Sequence, residues 1–171
     1  ERPGWGIVRD DPAVPVVHYD PTKLEVPSYL PDREEVREGL AGYYQQISRL
    51  DHGIGKILDL LQQARKDQET LVIFTSDHGS SEPGAMANHY EPGIQVPLIV
   101  KHPLLSQPGM SSRALVTLAD ITPTILDWTG TKPPQRALHG RSVLPILEDL
   151  DPVGWDEVFL SHVCHEVTNR P

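Results

Sequence analysis

Asp77-His78-Gly79 closes the apolar run Leu71-Val72-Ile73-Phe74-Thr75-Ser76, and it sets a carboxylate next to an imidazole. That couple offers one hard oxygen and one nitrogen, half of a divalent-metal site. The run before it reads as a strand buried on both faces, as in the interior of a parallel sheet under helices. Polar groups just past the carboxyl end of such a strand lie where open α/β sheets keep their ligand crevice. The plainer alternative is a strand-to-loop turn, with Asp77 capping the next segment and Gly79 at positive φ. A motif this short does not decide between the two.

Other chemistry-bearing residues carry less. Cys164 is the single cysteine, so no internal disulfide forms and the redox compartment stays open. Lys101 follows a second apolar run and reads as a solvated strand end. Asp51 and His52 fall within a helical pattern, where pairing with surface neighbours is expected. Asp120 reads as a helix cap, and Arg141 as a brace holding a loop through carbonyls. A net charge of −9 argues against nucleic acid or an anionic membrane as partner, and solubility alone accounts for it. No run of eighteen apolar residues exists to span a membrane.

The elements that must position these residues alternate in type. Residues 1–31 are rich in proline and read as an extended arm, with at most short strands around 14–18. Asp32 followed by Glu35 resembles a capping box opening a long amphipathic helix to about Gln63–Lys66. Val36, Leu40, Tyr43, Tyr44, Ile47, Leu50, Ile54, Ile57, Leu58 and Leu61 recur along it at three- and four-residue steps. Arg65 and Lys66 suit its negative end. Gly53 and Gly55 weaken it, which suggests close packing there. The link Asp67–Thr70 leads into the strand Leu71–Ser76. Further strands are expected at Val96–Val100, Ala114–Leu118 and Glu157–Leu160. Helices are expected from Asp120 to Trp128, stopped by Gly130, and at Ser142–Leu147. Helices interleaved with strands make an α/β fold. At 171 residues the chain fits one domain. Its parts are the arm 1–31, an α/β part 32–150, and a stretch 151–171 with a last strand and the start of a further C-terminal region. Both ends fall in mid-phrase, so the chain reads as a piece of a longer protein.

Five phrases taken together resemble the sulfatases of the alkaline-phosphatase superfamily. They are Tyr43-Tyr44 through Arg49-Leu50-Asp51 to Gly55-Lys56-Ile57-Leu58; Thr75-Ser76-Asp77-His78-Gly79; Tyr90-Glu91-Pro92-Gly93 through Val100; Asp120-Ile121-Thr122-Pro123-Thr124-Ile125-Leu126-Asp127; and Leu138-His139-Gly140-Arg141-Ser142-Val143-Leu144-Pro145. Their order and spacing match from about Arg33 to Leu147. The ending Ser161–Thr168 is most similar to the heparan N-sulfatase (sulfamidase) branch. The resemblance implies a mixed, largely parallel sheet between helices, with the metal at the strand carboxyl ends. It places Asp77 and His78 on the late half of that metal site. Calcium is the usual ion, and His rather than Asn in second place leaves manganese open. It also implies a sulfated small molecule or glycan as substrate, with His162, His165 and Glu166 lining a sugar pocket or lying in an exposed loop. A homo-oligomer is allowed. A periplasmic, secreted or lysosomal setting follows from the resemblance only.

The chain departs from the family pattern in two respects. The family's nucleophile is a formylglycine made within Cys/Ser-x-Pro/Ala-x-Arg, and no such motif occurs in this sequence. Cys164 is followed by His165-Glu166-Val167, and the early paired aspartates are absent too. The formylglycine is therefore expected in a part preceding this chain, and the chain alone is expected to be inactive. Second, Met86 stands where the family has a basic residue before Tyr90, and no Lys or Arg occurs between Asp77 and Lys101. His89 is a local substitute, able as an imidazolium to bind an anion. Two other readings stay open: a phosphodiesterase or phosphonate hydrolase of the same superfamily, and a non-catalytic, sulfatase-derived binding module.

Overall fold

A computed structural model describes residues 14–86, 88–105 and 107–160. The chain divides into two compact units, Glu1–Asp67 and Gln68–Pro171, and the division falls at the expected link.

In the first unit, helix α1 spans Glu34–Gln63, in line with its long apolar periodicity. Its start differs from the capping-box expectation. Arg33 is the N-cap and offers no side-chain cap. Asp32 is engaged instead by Arg37, whose Nη2 donates to Oδ2 at 2.7 Å and whose Nε donates to Oδ1. A guanidinium fork outcompetes a backbone N–H for a carboxylate, because both oxygens are matched at once. This hydrogen bond holds the Asp32 carboxyl below its ordinary range. Arg37 Nη1 also donates to the carbonyls of Leu24 (2.8 Å) and Pro21 (3.2 Å). The arm is thereby tied to the helix, and Tyr19 adds a hydroxyl bond to Ser48 (2.7 Å) and a ring contact with Tyr44.

No strand forms over 14–18, where the chain is irregular up to a single 3-10 turn at Pro21–Lys23. Among the described residues, an added Cβ at Gly53 or Gly55 meets nothing within 4 Å. Helix α1 ends in a Schellman motif: Lys66 N donates to Leu61 O and Arg65 N to Gln62 O. Arg65 occupies the left-handed position, at φ 55.

The second unit carries strands β1, Val72–Thr75, and β2, Leu98–Lys101. They pair antiparallel, with Val72 opposite Lys101 and Thr75 opposite Leu98. The α/β class stands, but the pairing seen among the described residues is not the parallel one expected around Leu71–Ser76. The reason lies in the connection. The described residues between 76 and 97 contain one helical turn, α2, Glu91–Ile94, instead of a crossover helix, so the chain returns beside the strand it left. All four residues of β1 are half-buried, whereas β2 alternates and leaves Ile99 62% exposed.

Helix α3, Ile121–Thr129, matches its expected range and stops at Gly130, φ 63. Around its start lies a small buried knot. Asp120 Oδ2 accepts from Thr117 N and Oδ1 from Arg141 N, each at 2.8 Å. Thr124 Oγ1 donates to Asp120 O (2.6 Å) and accepts from Val143 N (3.0 Å). Arg141 stacks 3.6 Å over the Trp155 ring and donates to Gly154 O, so the bracing role expected of it holds. Gly140 passes so near Ala119 and Asp120 that an added Cβ would lie 2.6 Å from Asp120 N. Ala114–Leu118 and Glu157–Leu160 form no strands. Among the described residues, isolated strand-like bonds occur nearby, Arg113 N to Leu150 O and Leu115 N to Trp155 O. Ser142–Leu147 shortens to a 3-10 turn at Leu144–Ile146, with Pro145 inside it.

Candidate functional site

The candidate site starts where β1 ends. β-branched and aromatic side chains carry the backbone extended through Thr75, and the chain then bends at Ser76–Gly79. Asp77 and His78 emerge there with side chains that converge: His78 Nε2 lies 3.5 Å from Asp77 Oδ2. Asp77 Oδ1 also accepts from His78 N at 3.1 Å, which fixes the carboxylate over its own turn. Both groups face solvent, Asp77 at 84% side-chain exposure and His78 at 47%.

The tautomer of His78 follows from its other nitrogen. Nδ1 lies 2.7 Å from Gly79 O, and a carbonyl oxygen only accepts, so Nδ1 carries the proton. In the neutral ring, Nε2 then holds a lone pair directed at the gap beside Asp77 Oδ2. A histidine oriented by a backbone carbonyl on one nitrogen and open on the other is the usual arrangement of a metal ligand. Protonation would instead turn the couple into an ion pair. The residues present therefore fit half of a divalent-cation site. Among the described residues, no group of three or more His, Cys, Asp or Glu comes together to complete it.

The loop after Gly79 is held by backbone contacts. Gly79 N donates to Gly93 O at 3.1 Å, and Met86 N to Ser80 O at 3.0 Å. Asn88 Oδ1 accepts from Tyr90 N at 2.9 Å, ahead of the turn of α2. His89 thus lies on the segment tied back to the strand end. Gly79 does not adopt the positive φ that a plain turn would give it. What demands glycine there is the crossing with Pro92 and Gly93, a signal the sequence carried only as Gly79 and the later Glu91-Pro92-Gly93. Ser80 Oγ is buried without a hydrogen-bond partner among the described residues. So is His52 Nε2 on α1, where a surface pairing was expected. Met86 is 46% exposed. His162, His165, Glu166 and Cys164 lie outside the described residues.

Two clefts lie apart from the Asp77–His78 couple. One, of about 560 Å³, is lined by residues such as Ile99, Leu105, Val116 and Ile146 and has no titratable group in its wall. The other, of about 420 Å³, runs from Thr75 past Glu91 to Val116 and Leu160. Neither cleft is lined by Asp77 or His78, and the second carries Glu91 in its wall.

A family model described as sulfatase matches residues 9–131. N-sulphoglucosamine sulphohydrolase of Homo sapiens is 42% identical over 159 residues, which is 88% of this chain and 31% of that protein. Steryl-sulfatase of Homo sapiens is 32% identical, over 74% of this chain and 25% of its own length. Among solved structures, the phosphonate monoester hydrolase SpPMH from Silicibacter pomeroyi superposes with TM-score 0.64 at 30% identity, over 74% of this chain and 26% of its own. A protein solved in complex with its substrate, D-glucosamine-2-N,6-O-disulfate, superposes with TM-score 0.60 at 27% identity, covering 74% and 27% of the two chains. The chain spans about a third of the first of these relatives and about a quarter of the others.

Proposed function

This chain belongs to the sulfatase family, and on that basis we propose that the whole protein hydrolyses sulfate esters or sulfamates on a sulfated sugar. The reaction uses a divalent cation, calcium before manganese, bound in part by Asp77 and His78. The observation that carries this reading is the orientation of His78: Nδ1 faces Gly79 O, and Nε2 faces Asp77 across 3.5 Å. Similarity to N-sulphoglucosamine sulphohydrolase and to a protein solved with a disulfated glucosamine supports the sugar class.

A bound cation supplies positive charge to the non-bridging oxygens of the sulfuryl group, whose charge must be stabilised as the S–N or S–O bond breaks. The chain's own residues hold and orient the groups around it. Asp77 presents a carboxylate oxygen and is held by His78 N, so it enters the reaction preorganised. Gly79 O fixes the imidazole plane and keeps the proton on Nδ1, leaving Nε2 as the ligand atom. His89 is given the role of meeting an anion, in a loop that has no Lys or Arg between Asp77 and Lys101. No Cys or Ser of this chain stands in the motif that yields the nucleophile, so the contribution assigned to this chain is charge and orientation.

The test is kinetic and uses the whole protein. N-sulfated glucosamine or an aryl sulfate is expected to be hydrolysed with higher kcat/KM than an aryl phosphodiester. Chelation is expected to abolish turnover, and calcium or manganese to restore it. Asp77→Asn is expected to lower kcat/KM on the order of 10²-fold, the scale of losing one preorganised electrostatic group. A preference for the phosphodiester would overturn the reading in favour of a phosphonate or phosphodiester hydrolase, the class to which the Silicibacter pomeroyi neighbour belongs.

A further inference from the structure

Two chain segments approach closely where Gly79 meets Pro92 and Gly93. Gly79 N donates to Gly93 O at 3.1 Å, and Gly93 N in turn donates to Tyr90 O at 2.8 Å. Tyr90 N closes the sequence by donating to Asn88 Oδ1 at 2.9 Å. Neither glycine has room for a side chain. A Cβ at Gly79 would overlap Pro92 O and lie 2.8 Å from its carbonyl carbon. A Cβ at Gly93 would overlap Ala85 O and lie 2.7 Å from Asn88 O. All of these neighbours are backbone atoms, which cannot rotate away as a flexible side chain can. Neither glycine is at positive φ, so conformational freedom does not explain them. The space does.

We propose that Gly79 and Gly93 form a side-chain-free crossing that positions the Asn88–Tyr90 segment against the Asp77–His78 end of β1, so that loop and couple act as one site. This rests on the reading of Asp77 and His78 as cation ligands. The two glycines are positioning residues: they touch neither ligand nor substrate, and they act through His78, one residue from Gly79, and through Tyr90, one hydrogen bond from Gly93. The crossing also gives Met86 its context. A loop without a lysine or arginine must deliver its remaining polar groups by backbone placement, and Asn88, His89 and Tyr90 are the ones this clamp holds.

The experiment is nuclear magnetic resonance on the whole protein, isotope-labelled over this chain and titrated with Mn2+ alone as the probe. Its relaxation enhancement falls with the inverse sixth power of distance, so it reports which amides share the ion's surroundings. In the unaltered protein, Mn2+ is expected to broaden Asp77–Gly79 and, with them, Asn88–Tyr90. The Gly79 amide is expected to be protected from hydrogen exchange. In Gly93→Ala, broadening at Asp77–Gly79 is expected to persist, while that at Asn88–Tyr90 and the Gly79 protection are lost. Asn88→Ala, which leaves both glycines in place, is expected to keep the protection, and it guards against a Gly93 variant that does not fold. Gly42→Ala is the control, because a Cβ there meets nothing within 4 Å. An unprotected Gly79 amide in the unaltered protein would overturn the crossing, as would a folded Gly93→Ala with unchanged exchange and broadening. Absence of Mn2+ broadening at Asp77–Gly79 would sink the cation reading, and Gly79 exchange would then decide the crossing alone.

Discussion

Asp120 shows how one side chain can set a local structure. Its two oxygens serve one near and one distant donor, Thr117 N and Arg141 N, and the adjoining Thr124 hydroxyl bridges Asp120 O to Val143 N. Removing the carboxylate leaves two backbone donors, in a place where the residue itself is only 6% exposed. Asp120→Ala is therefore expected to lower unfolding free energy by about 2–4 kcal/mol, from a lost cap plus an unpaired donor. Urea denaturation measures this, and a loss below about 0.5 kcal/mol would contradict it. Asp120 at the start of α3 and Arg141 as a carbonyl-bracing residue were both legible in the sequence, although the Asp120 side chain makes no cap hydrogen bond to α3 and reaches back to Thr117 N instead. The link between them was not, because nothing along the chain announces that residue 141 returns to residue 120. The same holds at the site. Asp77 and His78 could be picked out because a carboxylate–imidazole couple after an apolar run is a local pattern. The Gly79–Gly93 crossing could not, because it exists only once the loop has closed.

Among the elements, α1 was the most legible, because a 3.6-residue period sustained over eight turns has no rival reading. Its boundaries were less so. Asp32 suited a cap, but the guanidinium of Arg37 claimed it, a competition between side chains that a spacing rule does not weigh. At the other end, Arg65 sits in the left-handed conformation that costs an L-residue about 1–2 kcal/mol. Arg65→Gly is accordingly expected to stabilise the protein by about 1 kcal/mol, read as a raised Tm, and a lowered Tm would contradict the Schellman assignment. The strands fared worse. β1 and β2 were found because apolar runs of this kind are strong signals. Ala114–Leu118 and Glu157–Leu160 have similar composition, yet a strand exists only when a partner ladder forms, and composition does not name the partner. Parallel pairing was inferred from burial on both faces of Leu71–Ser76. The antiparallel register instead follows from the connection, whose described residues between 76 and 97 hold one short helical turn, Glu91–Ile94.

For the chain taken whole, charge and pH become the useful handles. The net charge is −9, and carboxylates held in specific bonds carry part of the acid sensitivity. Asp32 is held low by its hydrogen bond to Arg37, and Asp20 by its bond to the Thr22 hydroxyl. A carboxyl with a depressed folded value contributes stability that is present above the ordinary value of about 3.9 and is lost as pH falls through the folded value. Asp32→Asn is thus expected to lower Tm at neutral pH and to flatten its fall on acidification, the two curves meeting once Asp32 is protonated. The difference is expected to shrink in high salt, because the pair is exposed. Parallel curves at every pH would contradict this. No helix among the described residues is long and apolar enough to cross a membrane. The family and the α/β class belong to this chain, which spans about a third of the first relative's length.

The decisive measurement is the anomalous diffraction map of the whole protein crystallised with Mn2+. A peak is expected between Asp77 and His78, bonded to Asp77 Oδ2 and His78 Nε2 at about 2.0–2.5 Å, with His78 Nδ1 still on Gly79 O. A saturated crystal with the peak elsewhere, or with Asp77 and His78 contacting only each other, would contradict the assignment of this couple as cation ligands.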